Sequence, residues 1–268
     1  MRSPTDLPPD IPNDQSPAAL AQGAAAVLGR LRARSVKVHC ITNAVAQNFT
    51  ANVLLALGCV PSMTLSPEEI GAFVARADAL LVNLGTFDRE RREATEIAVD
   101  TAGREGIPWV LDPVFVDRAP GRAAFAGDLV GRGPEAVRLN DGEFAALADE
   151  TPSPEAVAAY ARAKATVVAL SGETDLIADG SRLVRLTNGD PLMARVTAMG
   201  CAGSALVAAC LAVEPDAWRA AAAGLMLIGV AGEIAAARAD GPGSFAVAIL
   251  DALYRLDAPS LLRHAKVT

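Results

Sequence analysis

Apolar and polar positions along this chain alternate between two periods. Residues 17–34, 45–57, 67–77, 89–105, 122–130, 142–147 and 154–163 carry apolar side chains at helical spacing. Between them lie short apolar runs at 36–41, 79–85, 109–114, 136–140 and 166–171, which predict strands. Strands separated by helices require crossover connections, so the pattern implies an α/β fold with a mainly parallel central sheet flanked by helices. At 176–186 the pattern changes, because Asp179-Gly180 separates two short apolar runs and predicts a hairpin with a tight turn. The last third, 200–211, 218–238 and 245–256, reads as helical throughout. No repeat or low-complexity linker interrupts this order, which implies one domain over residues 16–268. Residues 1–15 are rich in proline and poor in apolar residues, and predict a disordered arm.

Composition narrows the chemistry. Aromatic residues make up 4% of the chain and apolar residues 51%, so the core must be packed from Ala, Val and Leu. A net charge of −7 disfavours nucleic acid and anionic membrane surfaces, since the long-range electrostatic term would be repulsive. The chain has three lysines (Lys37, Lys164 and Lys266), so phosphate recognition falls mainly to arginine, backbone amides and a metal ion, which disfavours a P-loop. Its four cysteines form no C-x-x-C pair and residues 1–15 hold no apolar stretch, which together imply a reducing, cytoplasmic setting. The longest apolar run, 220–232, stops at Glu233 and is expected to be too short to span a bilayer.

Stretches 131–136 and 241–246 match the dinucleotide fingerprint G-x-G-x-x-G/A, but one precedes a strand and the other lies between helices. The fingerprint works only in a strand-to-helix turn, so neither is read as a nucleotide site. Candidate chemistry lies instead beyond the carboxyl ends of the strands, where open parallel sheets bind ligands. Asp112 ends one strand and Glu143 opens a helix three residues past Asn140. Either the two carboxylates hold a Mg²⁺ ion, or Asp112 caps a turn and Glu143 a helix. The run Val196-Thr197-Ala198-Met199-Gly200-Cys201-Ala202-Gly203-Ser204 enters a helix through small residues, leaving backbone amides free to close on an anion. Cys201 at that helix start has either a lowered pKa and a role as proton acceptor, or the role of a small buried hydrophobe. His39 reads as a satisfied core residue, Cys210 as core, and His264 as a solvated tail residue.

The order of blocks is more specific than any one of them. His39-Cys40-Ile41-Thr42-Asn43, Asn48-Phe49-Thr50-Ala51-Asn52, Pro61-Ser62-Met63, Asn83-Leu84-Gly85-Thr86, Leu111-Asp112-Pro113-Val114, Gly172-Glu173-Thr174-Asp175, Gly189-Asp190-Pro191-Leu192-Met193 and Gly241-Pro242-Gly243-Ser244-Phe245 resemble hydroxyethylthiazole kinase, in that family's order. The resemblance implies a ribokinase-like three-layer fold, use of ATP and Mg²⁺, and phosphorylation of the hydroxyethyl group of a thiazole in thiamine biosynthesis. It also implies a homotrimer with sites at subunit boundaries. Position by position, it implies that Met63, Ala198 and Asn43 meet the alcohol, that Arg138, Ser171, Met199 and Gly200 meet the nucleotide, that Asp112 and Glu143 bind metal, and that Cys201 lies beside the transferred phosphoryl group.

The departures fall at the site. Ala198-Met199 stands where the family carries Gly-Thr, and Phe115, Val116, Asp117 and Arg118 replace small residues and glycine. Leu139 replaces a glycine and Asp141-Gly142 an Ala-Ser pair. Two further readings follow from them: a sibling kinase for another small alcohol, and a binding homologue without turnover.

Overall fold

The computed structural model describes residues 15–268. The arm expected over residues 1–15 lies, apart from Gln15, outside the described residues. Strands β1 (Lys37–Ile41), β2 (Val60–Ser62), β3 (Ala79–Asn83), β4 (Trp109–Asp112), β5 (Ala136–Leu139), β6 (Val167–Leu170), β7 (Asp175–Ala178) and β8 (Leu183–Leu186) form an eight-stranded sheet in the order β2-β1-β3-β4-β5-β6-β7-β8. Pairing is parallel from β2 to β6, and β7 and β8 then run antiparallel to their neighbours. The helices are α1 (Pro17–Arg34), α2 (Gln47–Ala56), α3 (Ile70–Val74), α4 (Arg89–Glu105), α5 (Pro120–Val130), α6 (Asp141–Ala148), α7 (Pro154–Lys164), α8 (Met199–Leu211), α9 (Ala217–Ala236), α10 (Pro242–Arg255) and α11 (Ala258–His264).

Side chains alternate across each strand, so one strand feeds two cores. In β3, Ala79 and Leu81 pack with α1, α2, α8, α9 and α10, whereas Leu80 and Val82 pack with α3 to α7 on the other face. This is the expected three-layer arrangement, and burial on both faces is why the central strands read as continuous apolar runs. Asp179 closes the expected hairpin, its Oδ1 accepting from the backbone of Ser181 at 2.9 Å and of Arg182 at 2.7 Å.

Three elements differ from the sequence reading. Strand β2 was not expected: it is three residues long, contains Pro61, and survives because it is an edge strand that needs hydrogen bonds on one side only. Helix α11 encloses His264, whose Nδ1 meets the Ser260 carbonyl at 2.8 Å, so this residue is half-buried rather than solvated. The apolar run at 220–232 belongs to α9, a helix of 20 residues that is long and apolar enough to cross a membrane. Of its most apolar stretch 78% is buried inside the protein, against α1, α8 and α10. An all-round apolar helix is also what a core layer demands.

Candidate active site

Parallel registry brings the ends of β3 and β4 level, with Asn83 opposite Asp112. Asn83 Nδ2 donates to Asp112 Oδ2 at 2.7 Å, and Ser204 Oγ on α8 donates to the same oxygen at 2.8 Å. Asp112 is fully buried, and its Oδ1 has no partner. Burial pushes its carboxyl above the ordinary range, against the opposing pull of Arg138, Ser204 and Asn83. A buried, unpaired carboxylate oxygen is costly unless something fills it, and a hard cation suits it.

Cys201 lies one turn before Ser204 on the same helical face. Its Sγ accepts from Asn43 Nδ2 at 3.2 Å and from Asn83 Nδ2 at 3.3 Å, and Asn43 also donates to Asn83 Oδ1 at 3.3 Å. Of the two readings of this thiol, the lowered pKa is not found. Burial first and Asp112 second push it up to about 11, and the helix start does not overcome them. Cys201 is therefore a neutral thiol near pH 7. Asn43 leaves its own Oδ1 buried and unpaired beside it.

Glu143 realises the capping reading. Asn140 Oδ1 accepts from its backbone amide at 3.0 Å, and Glu143 Oε2 accepts in return from the amide of Asn140 at 2.9 Å. Its Oε1 accepts from the amide of Phe115 at 3.1 Å. Burial, then Asp112, raises its pKa, so the two acids feel one another even though Glu143 is pinned by amides. Among the described residues no three metal-ligating side chains converge. A cation here would lean on Asp112, with Glu143 behind it and other oxygens supplied by phosphate or water.

Arg138 projects from β5, donating from Nε to Ser171 Oγ at 3.0 Å. Its guanidinium lies on Gly200, where an added Cβ would come within 2.7 Å of Nη1. Both border a cavity of about 880 Å³ that runs between the β7 side of the sheet, α8 and α9, with Met199 and Gly203 on its wall. Asp175 lines it as well, its carboxyl raised to about 6 by burial. Ala198 precedes α8 with φ 69° and gives the amides of the first turn no side-chain cap. Phe115 has φ 61°. Both of these departures thus sit in the left-handed region, where a Cβ is strained.

The structure brings together Asn43, Asp112, Arg138, Ser171, Met199, Gly200 and Cys201, with Glu143 adjoining. Met63 follows edge strand β2 and is half-buried against the first core; no hydrogen bond joins it to these residues, and like Asn43, Asp112 and Cys201 it does not line the cavity. Asn83, Ser204 and Asp175 stand in stretches quoted from the sequence but were given no role there. For Ser204 a signal existed, its spacing of three from Cys201; for Asn83 none did beyond its place at a strand end.

A model of the hydroxyethylthiazole kinase family matches residues 28–259. The chain belongs to the hydroxyethylthiazole kinase family. The probable hydroxyethylthiazole kinase of Agrobacterium fabrum is 42% identical over 247 residues, which cover 92% of this chain and 95% of that protein. The hydroxyethylthiazole kinase of Klebsiella pneumoniae strain 342 is 48% identical over 238 residues, covering 84% and 92%. A solved structure, the hydroxyethylthiazole kinase protein of Pyrococcus horikoshii, superposes with a TM-score of 0.88 at 36% identity and covers 92% of this chain and 98% of its own. Pyridoxal kinase of Staphylococcus aureus shares the fold at a TM-score of 0.61 and 17% identity, over 74% of this chain and 88% of that one. The fold is thus the ribokinase-like α/β sandwich, and the family makes the chain a kinase that takes ATP, with a divalent cation as the usual companion.

Proposed function

We propose that this kinase transfers the γ-phosphoryl group of ATP to the hydroxyethyl group of 4-methyl-5-(2-hydroxyethyl)thiazole, a step of thiamine biosynthesis or salvage, with Mg²⁺ as the cation. The observation that carries the reading is the unpaired buried Oδ1 of Asp112 beneath the first turn of α8, beside Arg138 and the cavity. Transfer is in line: the alcohol oxygen bonds to the γ-phosphorus, the bond to the bridging oxygen of ADP breaks, and the alcohol proton is released. The barrier is lowered by position and charge neutralisation more than by covalent chemistry.

Each residue then has a role. Arg138, seated against Gly200 and bonded to Ser171, meets the phosphates, and the amides of Met199, Gly200 and Cys201 face the moving charge. Asp112 and, behind it, Glu143 hold the cation, whose contribution is to neutralise phosphate charge. Asn43 Oδ1 accepts from the alcohol hydroxyl, and Ala198 and Met63 bound the alcohol. Cys201, with its pKa near 11, orders Asn43 and Asn83 and packs beside the phosphoryl group rather than drawing off a proton at the outset. A loose transition state needs no strong base at that stage.

We further propose a single kinase domain over residues 16–268, acting in the cytoplasm as a homotrimer with the sites at subunit boundaries. Edge strand β2 and its surroundings support it. Val60 is 48% exposed and Phe73 42%, and Met63 follows the end of that strand. ADP production measured with ATP, Mg²⁺ and a panel of small alcohols tests the function. Activity confined to an alcohol other than the thiazole would replace the substrate, and nucleotide binding without turnover would replace the enzyme with a binding protein.

A further inference from the structure

We infer that Glu233 is a positioning residue for the nucleotide site, acting through Asn188; the inference rests on the kinase reading above. Residues 187–190 wall the cavity yet belong to no helix or strand. Their polar groups must therefore be paired from elsewhere. The pairing comes from two sides. From α9, Glu233 Oε1 accepts from the amide of Gly189 at 3.0 Å and from Asn188 Nδ2 at 2.9 Å. From residues 264–268, the His264 carbonyl accepts from Asn188 Nδ2 at 2.7 Å and the Lys266 amide donates to Asn188 Oδ1 at 2.8 Å. The amide of Thr187 donates to the Lys266 carbonyl at 3.1 Å, and Lys266 Nζ reaches Glu233 Oε1 at 3.0 Å.

Asn188 is 9% exposed and lies so close to α9 that a Cβ on Gly229 would meet its Cβ and carbonyl oxygen at 2.9 Å. Both ends of its amide are occupied, so the loop has one seating. Glu233 and Lys266 do not themselves line the cavity. Glu233 therefore acts at second hand. It holds in place a wall that would otherwise sample other arrangements, and a nucleotide would then have to select the competent one. Asp112 and Cys201, where the chemistry is placed, do not line the cavity and share no hydrogen bond with Glu233 or Asn188. The signature of such a residue is a change in ATP affinity without a change in turnover, because apparent affinity falls with the fraction of competent loop.

The test uses the full chain with Glu233→Ala, Glu233→Gln and Glu233→Asp. Glutamine keeps an acceptor oxygen for Asn188 and Gly189; aspartate keeps the charge but withdraws the oxygen by a methylene. For Glu233→Ala, KM for ATP and the calorimetric Kd for ADP should rise about tenfold, while kcat and KM for the alcohol stay within about twofold. Glu233→Gln should restore both constants to within about threefold, and Glu233→Asp should resemble alanine. If alanine prevents folding, the contrast between glutamine and aspartate decides. Unchanged ADP affinity in alanine and aspartate overturns the inference, as does a parallel rise in both KM values that glutamine does not rescue. Wild-type protein that binds ADP but phosphorylates no thiazole alcohol removes the functional reading and leaves the ADP comparison decisive; wild-type protein with no ADP affinity overturns both.

Discussion

Asn83 donates from a single amide nitrogen to both Asp112 Oδ2, at 2.7 Å, and Cys201 Sγ, at 3.3 Å. The pair of bonds leaves the other carboxylate oxygen of Asp112 without a partner and ties the acid to the helix that carries the thiol.

Asp112→Asn and Glu143→Gln should therefore behave differently. The first removes the charge at the unpaired oxygen and should abolish cation-dependent nucleotide binding with little loss of stability. The second exchanges one accepting oxygen for a donor that faces a backbone amide, leaving that amide unpaired. Such a group costs about 1–3 kcal/mol, so Glu143→Gln should melt earlier as well as turn over more slowly. Calorimetry with and without Mg²⁺, beside thermal melts, separates the two. Equal Mg²⁺ dependence in wild type and Asp112→Asn would remove Asp112 from the cation site.

Ala198 and Phe115 carry the strain of positive φ, at 69° and 61°. Ala198→Gly and Phe115→Gly should each relieve about 1 kcal/mol, offset in part by the greater freedom glycine gives the unfolded chain. Met199→Thr restores a hydroxyl beside the moving charge, where a lost donor can cost on the order of 10²-fold in rate. The natural protein is thus expected to be slow on the thiazole alcohol, and Ala198→Gly with Met199→Thr should raise kcat several-fold. Steady-state kinetics of both forms checks this. Brisk wild-type turnover together with a slower double variant would show that these residues suit a working site.

His39 should set part of the acid limb of stability. Its Nδ1 lies 2.8 Å from Ser62 Oγ and its Nε2 3.2 Å from the Thr64 carbonyl, clamping the segment on both sides of Met63. Burial lowers its pKa from 6.5 to about 4. Between those values the unfolded chain binds a proton that the folded chain refuses, so this contribution is full above pH 6.5 and is lost as pH falls through 4. It amounts to at most about 3 kcal/mol. Asp175, raised to about 6, acts in the opposite sense over an overlapping window, favouring the fold at low pH. Denaturant unfolding of wild type and His39→Gln across pH 4–7 isolates the histidine. Parallel curves would show that it carries no such linkage.

Phe73→Glu places a charge on the exposed surface beside β2. Light scattering should show a trimer for the wild type and a smaller mass for this variant, with activity falling alongside. A wild-type monomer at micromolar concentration with full activity would remove the shared-site proposal.

Legibility from sequence followed how local each cause is. The central strands declared themselves because burial on both faces makes them uniformly apolar, as in Ala79, Leu80, Leu81 and Val82. Strand β2 did not, since a three-residue edge strand containing Pro61 is fixed by pairing with β1 and not by its own residues. The same divide runs through the site. Asp112 and Glu143 stood out as acids at element ends, but the triangle of Asn43, Asn83 and Cys201 joins residues 40 and 118 positions apart in the chain, and nothing local announces it. Sequence left the thiol with two readings because the helix-start rule considers one field, whereas burial and a neighbouring carboxylate also act on it.

Helix α9 is at once the interior of the protein and the floor of its cavity, through Leu225, Ile228 and Gly229. Amides along that floor can exchange with solvent deuterium only when the whole helical layer opens, so they should exchange at the free energy of global unfolding. Those of residues 187–190 should exchange far sooner. Filling the cavity with ADP should slow the loop and leave α9 unchanged relative to global unfolding. A nucleotide here meets one wall fixed by helical packing and one fixed by a few hydrogen bonds through Asn188 and Glu233, so the second is the wall whose local opening costs less.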